Sequence, residues 1–441
     1  MQSYQSWGRL PKVTPAAVRR LYWRSELADL DLAGSSGLPY GLGRSYGDSC
    51  LNDGGVLIDT SQLSRLIHFD SERGVVRAEA GLSLDQLLAV IVPRGWFLPV
   101  SPGTQFVTLG GAVANDIHGK NHHRAGTFGC HVRRFELWRS DGTQRECSPD
   151  ENAELFRATI GGMGLTGLIS WVEIQLVRIA SPRLQMERIR FRSFDEYLAL
   201  ENESIADYDY SVSWVDCLRS GPTRGLFQRA NFTHSGSALS TDDNPRKSQR
   251  SIRVPFDIPS FALNSITMKL FNQSIFHLQR KDQISRVTHY APFFYPLDRV
   301  LDWNRIYGKS GFYQYQFLVP SEAEEGFREI LARISSSRQG SFLVILKKFG
   351  KIPSPGLMSF PREGFTLALD FPNRGQITLD LLEELDALVQ QAGGCVYPAK
   401  DARMSAASFQ HYYPQWKEFS RTIDPQFSSS FWRRVTAGAG P

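Results

Sequence analysis

Cysteine is scarce in this chain of 441 residues: Cys50, Cys130, Cys147, Cys217 and Cys395 are odd in number, far apart and form no CxxC pair. That scarcity argues against a disulfide framework or a zinc site, so no metal is expected and a reducing, cytoplasmic setting fits. Long apolar runs are missing too, which argues against a membrane-spanning helix. The opening residues, MQSYQSWGRLPKV, lack the apolar core of a secretory leader. The Asn-x-Ser/Thr triplets at Asn202, Asn231 and Asn272 then read as chance matches. No excess of one charge appears: 50 basic residues face 45 acidic ones, a formal +5 with no basic stripe, so nucleic-acid binding gains little support. Nor is there a solenoid repeat. Apolar content of 41% with 22% charged residues is that of an ordinary globular protein.

What the chain has is length, aromatic residues and local glycine. A chain this long exceeds what one hydrophobic core supports, so two domains are expected. The pattern predicts an amphipathic helix over 14–29, strands over 56–59 and 75–80, and a helix capped by Ser83 that runs through LDQLLAVIVP. Strands over 132–139 and 143–147 flank Asp141-Gly142, a hairpin-turn pair. A helix over 151–160 and an apolar strand over 165–177 complete a mixed α+β half. Beyond Ser181-Pro182 a strand–helix–strand pattern recurs. The first unit is 189–191, 194–202 and 210–217. The second is 314–319, a helix opened by a capping box from Ser321 to Glu324, and 342–349. The third is 365–371, 379–392 and 395–397. Such units imply an antiparallel sheet covered by helices, a domain that covers a substrate. A polar, turn-rich insert over 235–253 and an apolar-aromatic stretch over 256–276 separate the first two units.

Glycine is concentrated in SPGTQFVTLGGAVANDIHGKNHHRAGTFGCHV, residues 101–132, and in GLGRSYGDS, residues 41–49. Glycine loses the most entropy on folding, so such density points to left-handed turns or close approach to a ligand. Two glycine-lined loops suggest a large flat cofactor with a charged tail. Backbone amides of 41–49 and 108–111, with the Ser45 and Thr108 hydroxyls, could form a nest for pyrophosphate oxygens. Gly162-Met-Gly164-Leu-Thr-Gly167 also satisfies GxGxxG. A dinucleotide fingerprint must follow a strand and open a helix, and here the order is reversed. A tight turn beside a cofactor is expected instead, which disfavours a nicotinamide dehydrogenase.

The pairing of GLGRSYGDS with PGTQFVTLGGAVANDIHGKNHHRAGTFG resembles the FAD-binding domain of the vanillyl-alcohol oxidase (PCMH) type. Within it, the chain is most similar to the oxidases of decaprenylphosphoryl-β-D-ribose. Further matches are GGMGLTGLI at 161–169, WNRIYG at 303–308, QYQFLVP at 314–320, SFL at 341–343, DFP at 370–372 and YPAKDAR at 397–403. The resemblance implies an α+β fold: a two-lobed FAD-binding domain over 1–180, an inserted cap over 181–395, and a segment over 396–441 that returns to the first domain. It implies FAD as cofactor. It also implies oxidation of the ribose 2-hydroxyl of a polyprenyl-phosphate sugar, followed by an NAD(P)H-dependent reductase that completes an inversion to the arabinose donor for cell-wall glycans. Many relatives attach FAD through a histidine in the first loop. None stands there in this chain, so noncovalent FAD is expected. Some relatives carry a cysteine two residues before the aspartate of DFP, where this chain has Ala368.

The residues expected at FAD are Gly41, Leu42, Gly43, Arg44, Ser45, Tyr46, Gly47, Asp48 and Ser49, then Gly103, Thr108, Leu109, Gly110, Gly111, Asn115, Asp116, Ile117 and His118, and finally Ile169 and Tyr397. Lys400, His118 and Tyr46 are the catalytic candidates. A lysine in a dry pocket has a lowered pKa and can accept the hydroxyl proton; kept charged, it could instead stabilise the anionic reduced flavin. His118 is a candidate base or hydrogen-bond donor. Lys120, Asn304, Gln314, Gln316, Lys347 and Lys400 are candidates for sugar and phosphate contacts, Gln314 and Gln316 sharing one strand face. The stretch 256–276, with Lys269, Arg280 and Lys281 near it, is either cap core or a contact with the inner face of a membrane. Rival readings are an oxidase of soluble sugars, such as an alditol or aldonolactone oxidase, and a flavin-binding protein without turnover.

Overall fold

Three large sheets organise the protein. The computed structural model describes residues 4–32, 34–219, 221–234, 251–259 and 263–438. Strands Ala17–Arg20, Val56–Asp59 and Gly37–Tyr40 form a parallel sheet with Val56–Asp59 in the middle. The central strand, VLID, is buried throughout, as parallel strands usually are. The helix expected over 14–29 does not form. Ala17–Arg20 pairs with Val56–Asp59, and Arg24–Asp29 winds as a 3-10 helix. Leu21 and Leu27 are buried all the same. The apolar spacing is therefore used, but strand pairing, which local propensity does not sense, decides the backbone.

The second sheet is antiparallel, in the order Leu66–Asp70, Val75–Glu79, Leu168–Gln175, Val132–Trp138 and Gln144–Cys147. Gly142, at φ 80°, turns its hairpin. Helix Leu84–Ile91 begins in a capping box between Ser83 and Gln86 and buries Leu84, Leu87, Leu88 and Ile91 in the core of this lobe.

The third sheet has eight strands, in the order Gln283–His289, Arg183–Phe191, Gly225–Phe232, Tyr210–Val215, Val344–Phe349, Gly364–Pro372, Phe312–Val319 and Cys395–Val396. Every neighbouring pair is antiparallel. Alternation gives each strand two faces. Phe227, Leu346, Leu367, Tyr315 and Phe317 share one core with Phe194, Phe327, Ile330, Leu381 and Leu385 of helices Phe194–Ser204, Glu324–Ser337 and Gln376–Gln391. Residues between them, among them Gln228, Ile345, Ala368 and Gln316, face a central cavity. The Ser321 capping box is not made. Residues 321–323 turn as a 3-10 helix, Ala323 takes the cap position, and Ser321 Oγ has no partner among the described residues. Glu324 and Glu325 favour the helix start through the dipole instead.

From Cys395–Val396 the chain crosses back to the first sheet. In helix Ser430–Thr436, Arg434 pairs with Asp48 at 2.6 Å and with Asp401 at 2.9 Å, and Ser430 Oγ accepts from Asp53 N. Most of the polar insert, 235–250, lies outside the described residues, as do 260–262 of the aromatic stretch. Helix Ser265–Leu278 follows. Its Met268 and Phe276 are buried, whereas Ile266, Leu270, Phe271 and Leu278 are exposed. Among the described residues no helix is long and apolar enough to cross a membrane.

Candidate active site

Both glycine loops, the 162–167 turn and the free face of the eight-stranded sheet bound one cavity of about 660 Å³. Gly41, Leu42, Gly43, Arg44, Ser45, Tyr46 and Ser49 line it. The amides of Leu42, Gly43, Arg44 and Ser45 donate to no backbone acceptor among the described residues, and Ser49 Oγ is buried without a partner. Such unspent donors suit phosphate oxygens. Gly43 sits at φ 61°, and a Cβ there would come within 2.1 Å of Tyr40 Oη, so no larger residue fits. Arg44 lies 4.1 Å over the Trp7 ring and donates to Phe106 O. Gly47 and Asp48 do not line the cavity. A Cβ on Gly47 would meet Asp401 O at 1.7 Å, and Asp48 is turned toward Arg434. Both serve the junction with the returning segment.

The second loop corrects an expectation. Gly103, Thr108, Gly110, Gly111, Asn115, Ile117 and His118 line the cavity, but the amides of Leu109, Gly110 and Gly111 are spent. Leu109 N donates to Leu82 O at 2.9 Å, Gly110 N to Ala80 O at 2.7 Å, and Gly111 N to Thr108 Oγ1 at 3.2 Å. No second amide nest exists there. Its glycine allows close approach, since a Cβ on Gly110 would lie 2.9 Å from Ala80 Cβ. Leu109 is buried core. Asp116 is turned inward, accepting from Gly129 N at 2.8 Å and Ser359 Oγ at 2.6 Å. Neither lines the cavity, because each is committed to holding the loop's shape.

The GxGxxG string joins helix Ala153–Thr159 to strand Leu168–Gln175, with Gly164 at φ 77° and Gly167 at φ 138°. It is a tight turn, and Met163, Gly164, Gly167 and Ile169 line the cavity. Tyr397 lines it too, donating from Oη to Asn115 O at 2.6 Å and stacking on Phe360 at 4.7 Å.

The polar end of the cavity collects side chains from distant strands. Lys400 Nζ sits 3.9 Å over the Tyr46 ring. Burial lowers its pKa to about 7; Asp370 opposes that shift and Lys347 adds to it. Asp370, fully buried, accepts from Gln314 Nε2 at 2.7 Å and from Tyr307 Oη at 3.2 Å, and burial pushes its carboxyl up to about 7 against the pull of Gln314 and Lys400. Tyr46 packs edge-on against Phe312, and burial raises its pKa. His118 is 8% exposed, and burial, Lys347, His122 and Lys400 hold its pKa well below 6.5. Lys120 donates to the Phe293 and Phe294 carbonyls, and Lys347 to Gly119 O at 3.3 Å. Burial lowers Lys120 to about 7, helped by Lys347, and lowers Lys347 to about 8. Among the described residues neither lysine has a carboxylate partner, so an anion entering the cavity would draw both toward the charged form. Asn304 does not line the cavity; its Nδ2 donates to Trp7 O at 3.0 Å, which anchors the N-terminal segment.

Ala368 lines the cavity directly opposite Gln316; Asp370, opposite Gln314, does not line it but holds Gln314 in place, a role the sequence did not suggest. Strand alternation from Ala368 would have put Asp370 on the same face. Val212, Gln228 and Arg188 form a row across three strands, with Arg286 on the same face of the next. No local signal marks that row, because the strands are brought together only by the fold.

Residues 29–148 match the family described as FAD binding domain, and the protein is an FAD-dependent oxidoreductase. The first loop's free amides and the orphaned Ser49 hydroxyl fit the pyrophosphate of that cofactor. The chain is 38% identical over 411 residues to decaprenylphosphoryl-β-D-ribose oxidase of Mycolicibacterium smegmatis, covering 90% of this chain and 88% of that protein. An uncharacterized protein of Streptomyces coelicolor is 31% identical over 375 residues, which span 80% of this chain and 100% of that one. L-gulonolactone oxidase of Mus musculus matches at 32% over 139 residues, 31% of each chain. The chain belongs to the decaprenylphosphoryl-β-D-ribose oxidase family.

Proposed function

We propose that this protein oxidises the ribose 2-hydroxyl of a polyprenyl-phosphoryl-β-D-ribose to the ketone. In this reading residues 1–180 and 396–441 form the FAD-binding unit and 181–395 the cap. One observation carries it: a single cavity joins the cofactor loops to a titratable amine, Lys400, and to two lysines without carboxylate partners, Lys120 and Lys347. FAD, held noncovalently by the 41–49 loop with Tyr397 and Ile169 beside it, supplies the hydride acceptor. Lys400, with a pKa near 7, is partly unprotonated at neutral pH and accepts the hydroxyl proton. Asp370 moderates that pKa and holds Gln314 in place. Lys120 and Lys347 meet the phosphate, gaining the counter-charge the protein does not give them.

Helix Ser265–Leu278 exposes Ile266, Leu270, Phe271 and Leu278 beside Lys269, and Arg280 and Lys281 follow. Arg253 and Arg286 line the cavity and carry exposed side chains. An amphipathic, basic surface of this kind suits an anionic membrane from which a lipid-linked sugar is drawn. The ketone product calls for a separate NAD(P)H-dependent reductase. Stopped-flow bleaching of the flavin tests the reading. Polyprenyl-phosphoryl ribose is expected to reduce it far faster than free ribose or xylitol, because binding of the remote lipid phosphate orients the reacting carbon. Equal or faster bleaching by xylitol would transfer the protein to the soluble-sugar oxidases, the reading that its similarity to L-gulonolactone oxidase keeps open.

A further inference from the structure

The orientation of one amide decides which nitrogen of His118 carries its proton. Thr366, fully buried, donates from Oγ1 to Phe317 O at 2.8 Å, so that oxygen has only lone pairs left to offer. Gln316 meets Thr366 Oγ1 at 3.2 Å and His118 Nε2 at 2.9 Å through the same terminal atom. Two acceptors cannot face each other, so the atom at Thr366 Oγ1 is the amide nitrogen and not the carbonyl oxygen. One amide proton goes to Thr366 Oγ1 and the other points at His118 Nε2, which receives it on a lone pair. A neutral imidazole has one N–H. It therefore resides on Nδ1, which is buried and finds no partner among the described residues. The ring is also kept neutral: the charged or titratable groups facing it are Lys347, Lys400 and His122, and Phe349, Phe360 and Tyr397 enclose it.

We propose that Thr366, acting through Gln316, is a positioning residue that locks His118 as the neutral Nδ1–H tautomer, its Nε2 lone pair engaged by Gln316, so that His118 is unable to take the hydroxyl proton at Nε2 and leaves its removal to Lys400. The tautomer is a property of this chain alone; only the division of labour rests on the proposed reaction. Gln316 accordingly has no N–H left for a sugar and presents only its carbonyl oxygen.

Long-range proton–nitrogen NMR of the 15N-labelled holoenzyme reads the tautomer without any substrate. The His118 signals, assigned by their absence in His118→Gln, are expected to show a protonated Nδ1 and a bare Nε2, unchanged from about pH 6 to about pH 9. A protonated Nε2, or an imidazolium in that range, overturns the proposal. Thr366→Val, which keeps the shape and removes the acceptor, is expected to mix the tautomers and slow flavin reduction about 10-fold. Thr366→Ser is expected to restore both. A Val variant with wild-type tautomer and rate overturns the role of Thr366. If the Val variant does not fold, the wild-type spectrum and the Ser variant still decide. Failure of the lipid-sugar reading would leave the spectrum as predicted, so the two ideas fail separately.

Discussion

The cofactor side and the polar side of the cavity are built by opposite means. On the cofactor side the chain offers backbone: free amides at 42–45, a glycine at φ 61°, and turns so tight that a Cβ has nowhere to go. These features come from contiguous motifs. On the polar side the work is left to single side chains, Lys347, Gln316 and Lys400, delivered by separate strands and by the turn after Cys395–Val396, with Asp370 holding Gln314. The first side is vulnerable to bulk, whereas the second is vulnerable to lost chemistry. Substitutions on one side should therefore separate from those on the other in what they damage.

Lys400→Ala is expected to have the largest effect. Flavin stays bound in normal stoichiometry while the rate of its reduction falls about 10²–10⁴-fold. A variant that loses flavin in parallel with rate would erase the distinction between the two sides. Gly47→Ala should do the reverse. Its new Cβ would collide with Asp401 O, a backbone atom with no freedom to yield. Overpacking of this kind costs about 1–3 kcal/mol. Flavin content and melting temperature should drop, with the rate per bound flavin close to wild type; a fully loaded, inactive enzyme would contradict this. Lys347→Met is expected to act on substrate binding alone. Loss of one charged contact is worth about 1.5–3 kcal/mol. KM for the lipid-linked substrate should rise about 10-fold or more while that for a free sugar stays put, and a uniform change in both would remove Lys347 from the phosphate.

The same contrast explains what the sequence disclosed. The glycine loops, the GxGxxG turn, the Ser83-capped helix and six strands of the antiparallel sheet with its helices are legible, because turn chemistry and alternation are local signals; strands Gly225–Phe232 and Gln283–His289 are not. The 14–29 segment was misread because a parallel neighbour overrode its helical spacing. The amides of Leu109, Gly110 and Gly111 read as donors to a ligand, although Leu82, Ala80 and the Thr108 hydroxyl take them. Asp48 and Asp116 look like cofactor contacts by position in a motif, yet their carboxylates hold the loops together from behind. Thr366 gives no local sign that Gln316 and His118 will be its company, whereas Asp370 is marked by the alternation that puts it on the face of Ala368.

Arg434 reaches Asp48 across a sequence separation of 386 residues and binds Asp401 as well. At roughly 5–20 residues per second of synthesis, the glycine loop waits on the order of 20–80 seconds before the cation that neutralises its carboxylate has been made. During that interval Asp48 has no reason to leave water, and the loop it terminates has no back wall. Assembly of the flavin pocket is thus timed by its remotest strut, and cofactor capture belongs to the interval after Arg434 has joined the chain.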